Sequence, residues 1–498
     1  MENKLIKLYK ENKTLILVLT FISFLTFGFY ALNTILNIDG VTDLILIDKA
    51  NSAQTYLSVG RWGWAFITKI FNYYPNALFF WFINTIFFIG STLLISKIFN
   101  ITNKFHQILL GAFLIVFPIN SYAYSYTSWQ YSLGIGIFIS VLSIYLVKFK
   151  KNNLYILLSI LCISFAIGLY QSFLPFIIVL FLFLCILDID KNVKTKDLIK
   201  KYLTYILILV GGIILYVVLS KLFVTIFNIK WNSYQGASSM FKFDIKVFID
   251  NFIPNITRSL KINNKYFFPS FSVYILILIS LYSFIINIFN INKKHIILYI
   301  LITICLILAP NTLAFIKPYA WYHTLTLIPY LPLSLGFICL LFKNNNKLKY
   351  INKYVTPLII FIVCLFMFYD NKMAYMAKLT SDASFHYMNR MQMRIEELDG
   401  YKPLGYTKKI YFVGSYKDFE FPYSKAYVTE VGPTFSFVHG NIALENALNV
   451  LGDSYELVND KISKEENDKI ILSSSNKDVY PKENSIYMYE DIIVVKIR

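Results

Sequence analysis

Long runs of apolar residues recur along the first three quarters of this chain, and they constrain its fold more than any other feature. Most of the eleven runs are long enough to cross about 30 Å of hydrocarbon. Only 15% of the residues are charged, whereas soluble domains carry about 25%. The sequence therefore predicts an α-helical polytopic protein with about eleven transmembrane helices. The runs are 14–36, 75–96, 107–121, 131–147, 154–170, 173–187, 202–219, 270–290, 296–314, 323–342 and 354–370.

The net charge of +18 is unevenly distributed along the chain. Residues 1–370 carry a net charge of +20, mostly in short loops between apolar runs, and residues 371–498 carry −2. This distribution is typical of membrane topology signals, so we expect no nucleic-acid partner. With a cytoplasmic N-terminus, the cytoplasmic segments hold 20 Lys and Arg residues and the short external loops hold four. Eleven crossings then place residues 371–498 outside a bacterial cytoplasmic membrane.

The last 128 residues have a charge content close to that of soluble domains. Apolar residues recur at helical spacing between 388 and 398, and Gly400 follows as a helix end. The segment 409–413 predicts a strand. Two further segments, 486–489 and 492–496, predict a terminal hairpin. The sequence thus predicts two domains, a transmembrane domain over 1–370 and a small extracytoplasmic α/β domain over 371–498.

Acidic residues in the first external loop are candidate general bases. Asp39 lies just past the first apolar run, and Asp43 follows four residues later, so a continuing helix would place both on one face. A carboxylate at a membrane–water boundary is partly desolvated, which suits a general base. A solvated helix end is the alternative interpretation of this pattern.

Three cations in the predicted external loops are candidates for binding a lipid phosphate. Arg61 lies between Gly60 and Trp62, and arginine matches the geometry of phosphate oxygens. Arg258 and Lys317 lie in later external loops. Contact with anionic lipid head groups would explain the same basic residues.

Aromatic and amide side chains in the other external loops predict a sugar-binding surface. Aromatic rings stack on sugar C–H faces, while amides and hydroxyls bind the hydroxyl groups. An aromatic belt at the membrane surface is the alternative. No metal-ligand cluster or nucleotide-binding motif is visible, so we expect neither a metal nor another cofactor. The candidate sugar-binding residues are Trp129, Gln130, Tyr170, Gln171 and His323.

Four short motifs together resemble a known family. They are the Asp39 loop, Gly60-Arg61, Ser128-Trp129-Gln130 and Tyr170-Gln171-Ser172. This combination resembles the bacterial Gtr-type, serotype-converting membrane glucosyltransferases, which are similar to the GT-C class. The resemblance covers most of the membrane part. Gly40 stands where many members carry a second acid, so Asp43 and Asp48 remain alternative bases.

The resemblance implies an inverting transfer of a hexose from an undecaprenyl-phosphate donor to a cell-surface polysaccharide, such as O-antigen or a teichoic acid. In this interpretation Asp39 is the general base, and Arg61 meets the lipid phosphate together with Arg258 or Lys317. The implied partners are the lipid bilayer and a companion polyprenyl-phosphate sugar synthase and flippase. A lipid-linked sugar flippase or transporter, a polysaccharide polymerase or ligase, and a wall-assembly scaffold remain alternatives.

Overall fold

The fold is known from a computed structural model, which describes most of the chain. The described residues are 2–33, 35–37, 40–41, 51–71, 76–126, 130, 132–149, 152–189, 193–232, 246, 250, 270–313, 324–343, 349–402, 405–415, 438 and 440–497.

Helices dominate the part of the chain before residue 400. Each of the eleven apolar runs overlaps one helix or the bent pair α5–α6. Seven described helices are long and apolar enough to cross a membrane, or eight if the bent pair is one span; α7, α8 and α9 are shorter apolar helices. The number of crossings therefore stays a prediction. The helices are α1 (Glu2–Leu32), α2 (Asn51–Ser58), α3 (Trp62–Ile70), α4 (Ala77–Ile98), α5 (Lys104–Ile115), α6 (Pro118–Tyr124), α7 (Leu133–Phe149), α8 (Asn153–Leu169), α9 (Phe173–Asp188), α10 (Thr195–Ile226), α11 (Ser270–Asn290), α12 (Ile296–Leu308), α13 (Tyr330–Lys343) and α14 (Lys349–Glu396).

Local sequence signals explain where several of these helices begin. The Asn76 side chain caps α4 by accepting a hydrogen bond from the backbone N–H of Phe79 at 2.9 Å. Pro118 occupies the first turn of α6, where its missing N–H costs nothing. The helix before a proline normally ends, because the proline ring disfavours helical backbone at the preceding residue. The axes of α5 and α6 accordingly differ by 46°.

The helix ends form two groups in the structure. In the bundle, α4 packs against α7, α7 against α8, and α8 against α10. Segments predicted to be cytoplasmic contact one another, and so do segments predicted to be external. The first kind comprises Lys104 with Asn12, Lys148 with the carbonyl of Ile98, and His295 with the carbonyl of Val193. The second kind includes Gln171 with the carbonyl of Val59. The count of Lys and Arg residues assigns the helix ends to the same two groups. Which group faces the cytoplasm stays a prediction.

Helix α14 is 48 residues long and crosses the predicted boundary at residue 370 without a break. Its first half packs in the bundle against α1 and α5. Its last turns, with Met388 and Met391, pack under the C-terminal sheet. At about 1.5 Å per residue the helix is about 72 Å long. The bundle and the sheet therefore share one continuous element.

The C-terminal segment forms a four-stranded sheet in the order β2-β1-β4-β3. Strand β1 pairs in parallel with β2 and β4, and β3 and β4 form an antiparallel hairpin. One face packs on α14 and α15, and the other packs on α16. The predicted strand and the predicted hairpin are both confirmed. The elements are β1 (Lys408–Val413), α15 (Asn441–Val450), β2 (Tyr455–Leu457), α16 (Lys464–Ser473), β3 (Ile486–Tyr489) and β4 (Ile492–Lys496).

The loop that follows α1 is attached to this C-terminal part. Leu36 and Val41 are buried in the core below the sheet, beside Tyr387 of α14. The backbone N–H of Leu36 donates a hydrogen bond to the Ser381 hydroxyl at 3.3 Å. The two ends of the Asp39 segment are thus anchored on the extension of α14.

A buried ion pair beside β1 predicts a pH-dependent stability of the sheet. Lys408 pairs with Asp453, each side chain being 5% exposed, and Tyr401 donates a further hydrogen bond to Asp453. Burial acts to raise the pKa of Asp453, but the bonds from Lys408 and Tyr401 outweigh it and lower the pKa below its ordinary value. This stabilisation is present above the unfolded pKa near about 4 and is lost as the pH falls through the folded pKa.

We expect Asp453→Asn to lower the local free energy of unfolding by about 3 kcal/mol at pH 7, because it leaves Lys408 buried without its counter-charge. Hydrogen–deuterium exchange of peptides covering β1 and β4 measures this change. Asp491→Asn is the matched control: its pair with Lys409 is exposed and contributes at most about 1 kcal/mol. Equal protection in the Asp453 and Asp491 variants would contradict the prediction.

Candidate functional site

Arg61 lies at the turn between α2 and α3 and points its guanidinium into the bundle. Its backbone N–H donates to the carbonyl of Tyr56 at 2.9 Å, which closes the turn. The guanidinium carbon lies 4.7 Å from the centre of the Tyr170 ring, within cation–π distance. The Nε atom is buried and has no hydrogen-bond partner among the described residues. A rigid turn and an aromatic ring therefore fix the position of this cation.

The Tyr170-Gln171 motif meets the Gly60-Arg61 motif directly. Gln171, in the turn between α8 and α9, donates from Nε2 to the carbonyl of Val59 at 2.8 Å and lies 3.2 Å from the hydroxyl of Tyr216. Gly60 has φ of +77°, and a Cβ atom there would lie 2.7 Å from the Tyr216 hydroxyl. Only glycine fits both the backbone conformation and the close approach. Arg61, Tyr170 and Gln171 thus form one buried site.

The charge of Arg61 has no carboxylate partner among the residues that the structure describes. Within the described ranges no carboxylate forms an ion pair with its guanidinium. The hydroxyl of Ser172, the residue after Gln171, is buried and also lacks a hydrogen-bond partner among the described residues. The guanidinium is half-buried, has an unused N–H donor and has neutral hydrogen-bonding neighbours, so it is suited to bind an anion. Arginine binds a phosphate with two parallel N–H groups, each donating to one oxygen.

Close helix packing holds the Arg61 turn in place and gives a test of the fold. A Cβ atom on Gly63 of α3 would lie 2.9 Å from the backbone of Gly168 and of Leu169 in α8. Because backbone cannot move aside, we expect Gly63→Ala to destabilise the protein by about 1–3 kcal/mol, seen as a lower Tm in detergent.

Gly211→Ala is the control for Gly63→Ala, since its Cβ would meet only the flexible end of Ile160, at 3.2 Å. A Tm loss of the same size in both variants would mean that the contact between α3 and α8 is less tight than the structure indicates.

Gln130 belongs to a second polar cluster. It donates from Nε2 to the carbonyl of Tyr124 at 3.0 Å, and Asn84 of α4 donates to the Gln130 carbonyl at 2.9 Å. The same Asn84 side chain accepts from the N–H of Gly134 at the start of α7, at 2.8 Å. Gln130 therefore links the end of α6 to Asn84 of α4, and its Oε1 atom is buried without a partner in the part that the structure describes.

Asp370 of α14 is a buried acid that the sequence analysis did not select. It is fully buried, and it lies near the Ser121 hydroxyl and near Tyr30. The only sequence signal was an acid at the end of the last apolar run, where a solvated helix end is the ordinary explanation. Tyr216 of α10 was also missed, because a tyrosine inside an apolar run carries no distinguishing pattern.

The remaining candidates lie outside the described residues. This group comprises Asp39, Asp43, Asp48, Arg258, Lys317, Trp129 and His323. Among the described residues, no three His, Cys, Asp or Glu side chains come together as a metal site would require.

Comparison with known proteins identifies the family. A family model described as Glucosyl transferase GtrII matches residues 28–341. The chain belongs to this family. No curated protein and no solved structure matches the chain.

GtrII membership makes the protein a membrane glucosyltransferase, and the resemblance seen in its short motifs is confirmed. The matched region runs from within α1 into the last turn of α13 and contains Arg61, Gln130, Tyr170 and Gln171. Asp370 and the C-terminal sheet lie beyond the part that the GtrII model matches.

Proposed function

We propose that this protein transfers a hexose from a polyprenyl-phosphate donor to a cell-surface polysaccharide on the outer face of the cytoplasmic membrane. The observation that carries the proposal is the guanidinium of Arg61, which has no ion-pair partner among the described residues and is held against Tyr170, next to Gln171 and Tyr216. A phosphate that leaves with its negative charge needs such a cation at a fixed position. The GtrII family supplies the reaction class.

In the proposed reaction, an acceptor hydroxyl oxygen attacks the anomeric carbon of the donor hexose. The bond between that carbon and the phosphate oxygen breaks, its electron pair stays on the phosphate, and the configuration inverts. Asp39 takes the proton of the acceptor hydroxyl. Arg61 binds the leaving phosphate, with Arg258 and Lys317 as additional cations. Trp129, Gln130, Tyr170, Gln171 and His323 line the sugar and acceptor sites in this proposal.

The proposed topology has a cytoplasmic N-terminus and an extracytoplasmic C-terminal domain. It is supported by the excess of Lys and Arg in alternate loops and by the two groups of contacting helix ends. A companion polyprenyl-phosphate sugar synthase and a flippase would supply the donor at the outer face.

A transfer assay in liposomes tests the proposal. Purified protein receives radiolabelled polyprenyl-phosphate glucose, galactose or N-acetylglucosamine together with crude cell-surface polysaccharide. Label moving into the polymer supports the proposal. The same label moving only between the two leaflets would favour a flippase, and transfer only from diphosphate-linked oligosaccharides would favour a polymerase or ligase. A folded preparation that moves no label would favour a scaffold.

A further inference from the structure

The carboxyl group of Asp370 is fully buried in the helix bundle. Neither Oδ1 nor Oδ2 has a hydrogen-bond partner of standard geometry among the described residues, and no described Lys, Arg or His forms an ion pair with it. Burying a carboxyl group in this way costs several kcal/mol unless something else binds it. Ionisable residues inside membrane bundles generally mark substrate or ion sites for this reason.

Hydroxyl groups from two other helices surround this carboxyl group. The Ser121 hydroxyl of α6 lies near both Asp370 and Tyr30 of α1, and the Tyr30 and Tyr124 rings lie 6.3 Å apart. The Ser121 Oγ, Tyr30 OH and Tyr124 OH atoms are all buried without a partner of standard geometry in the described part of the chain. Asp370, Ser121 and Tyr30, from three helices, therefore converge, and their contacts with one another fall short of standard hydrogen-bond geometry, whereas the Tyr124 hydroxyl lies beside Asn84.

Polar side chains next to Asp370 and Ser121 in the chain form hydrogen bonds within the protein. Asn371, the next residue along α14, donates to the carbonyls of Leu25 and Met367 at 2.7 and 2.9 Å. On α6, the Tyr122 hydroxyl bonds to that of Tyr126 at 2.8 Å. The cluster at Asp370 differs from these neighbours in this respect, and buried polar groups without a partner of standard geometry are candidates for binding a ligand.

An apolar cavity of about 550 Å³ lies between α11, α12 and α13, and Phe117 is one of its walls. Phe117 precedes Ser121 by four residues, and its ring contacts Phe366 of α14 at 6.0 Å, one turn before Asp370. The cavity thus lies one helical turn from the Asp370 cluster along both α6 and α14. A lipid-linked sugar needs this combination, because its head is a polyol and its tail is a hydrocarbon.

We propose that Asp370, Ser121 and Tyr30 form a subsite that binds hydroxyl groups of the transferred hexose, with the Phe117 cavity holding part of the polyprenyl chain. The proposal rests on the proposed function for the identity of the ligand. A carboxylate accepts hydrogen bonds from two neighbouring sugar hydroxyls, while the serine and tyrosine hydroxyls donate or accept as the ring requires. Sites that bind a substrate hydroxyl in this way strongly reject analogues that lack it.

Binding of polyprenyl-phosphate glucose to the purified full-length protein tests the subsite without requiring turnover. We expect Asp370→Asn to raise Kd about 10- to 100-fold, because one carboxyl oxygen is replaced by an amide NH2 group that cannot accept a hydrogen bond, which leaves a sugar hydroxyl without its acceptor. Tyr30→Phe removes a single hydroxyl and should raise Kd severalfold in a protein whose elution and Tm are unchanged. Asp382→Asn is the matched control on the same helix, since Asp382 is about half-exposed and pairs with Lys378.

Deoxy analogues of the donor separate a binding role from a structural one. Wild type should bind at least one of the 2-, 3-, 4- and 6-deoxyglucose lipids about 10-fold or more weakly than the glucose lipid. Asp370→Asn should bind that analogue and glucose lipid within threefold of each other.

The possible outcomes separate this subsite from the proposed reaction. Unchanged donor affinity in Asp370→Asn, or unchanged discrimination in that variant, would overturn the subsite. Donor binding that depends on Asp370 without any transfer to polymer would overturn the proposed reaction and keep the subsite. Failure of wild type to bind any hexose lipid would overturn both.

Discussion

Asp39→Asn is expected to lower kcat/KM for hexose transfer by about 10²- to 10⁴-fold, the usual contribution of a positioned general base. Asparagine keeps the size of the side chain but cannot accept the proton of the acceptor hydroxyl. Affinity for the polyprenyl-phosphate donor should stay within threefold, since the base acts on the acceptor. Steady-state transfer from radiolabelled donor, together with donor binding, measures the two effects separately.

The residues around Asp39 support the choice of a conservative substitution. The Asn37 side chain accepts a hydrogen bond from the N–H of Gly40 at 2.8 Å, and the Asn37 carbonyl accepts from Val41 at 3.0 Å. These bonds and the burial of Leu36 are independent of the Asp39 side chain. Asp43→Asn and Asp48→Asn are the controls. Full activity in the Asp39 variant with loss of activity in either control would move the base to that residue.

Arg61→Gln is expected to reduce kcat/KM by about 10²- to 10³-fold, the range found when one preorganised group that stabilises developing charge is removed. The effect should appear mostly in kcat, because the phosphate gains charge as it leaves. Arg61→Lys should recover part of the loss, since it restores the charge but not the planar guanidinium that lies over Tyr170.

Lys69→Gln is the control for Arg61→Gln, because Lys69 lies in the last turn of α3, the helix that Arg61 precedes, and is exposed. Its loss should leave kcat/KM within twofold. Equal effects of the two substitutions would indicate that general attraction to anionic lipid, and not a phosphate at Arg61, explains the need for the cation.

Periodicity and composition predicted the helical class and the positions of the apolar helices well, because these properties are local. The strand at 409–413 and the hairpin ending in β4 were predictable for the same reason. Parallel pairing of β1 with both β2 and β4 was not, since it joins residues more than 40 positions apart. The continuation of α14 past residue 370 was missed because its polar face after that point has the composition of a soluble domain.

The residues of the candidate site likewise fall into those that the sequence predicted and those that it did not. Arg61, Tyr170 and Gln171 stood out because charged or amide groups are rare beside apolar runs, and the structure brings these three together. Asp370 and Tyr216 did not stand out, since their significance depends on burial and on partners from distant helices. An acid at a helix end is ordinary until the fold shows that no water reaches it.

The unbroken course of α14 has a consequence for how this protein tolerates changes in length. One residue inserted between Asp370 and Ser381 would advance the C-terminal sheet by about 1.5 Å and rotate it by about 100° about the helix axis. That rotation would turn Ser381 away from Leu36 and detach the segment that carries Asp39. An insertion of seven residues, close to two helical turns, would nearly restore the orientation of the sheet about the helix axis. It would still shift the sheet by about 10 Å along that axis. The helix thus sets the orientation and the height of the sheet together, so the sheet cannot move without also moving the backbone at Leu36 and Val41 that packs beneath it.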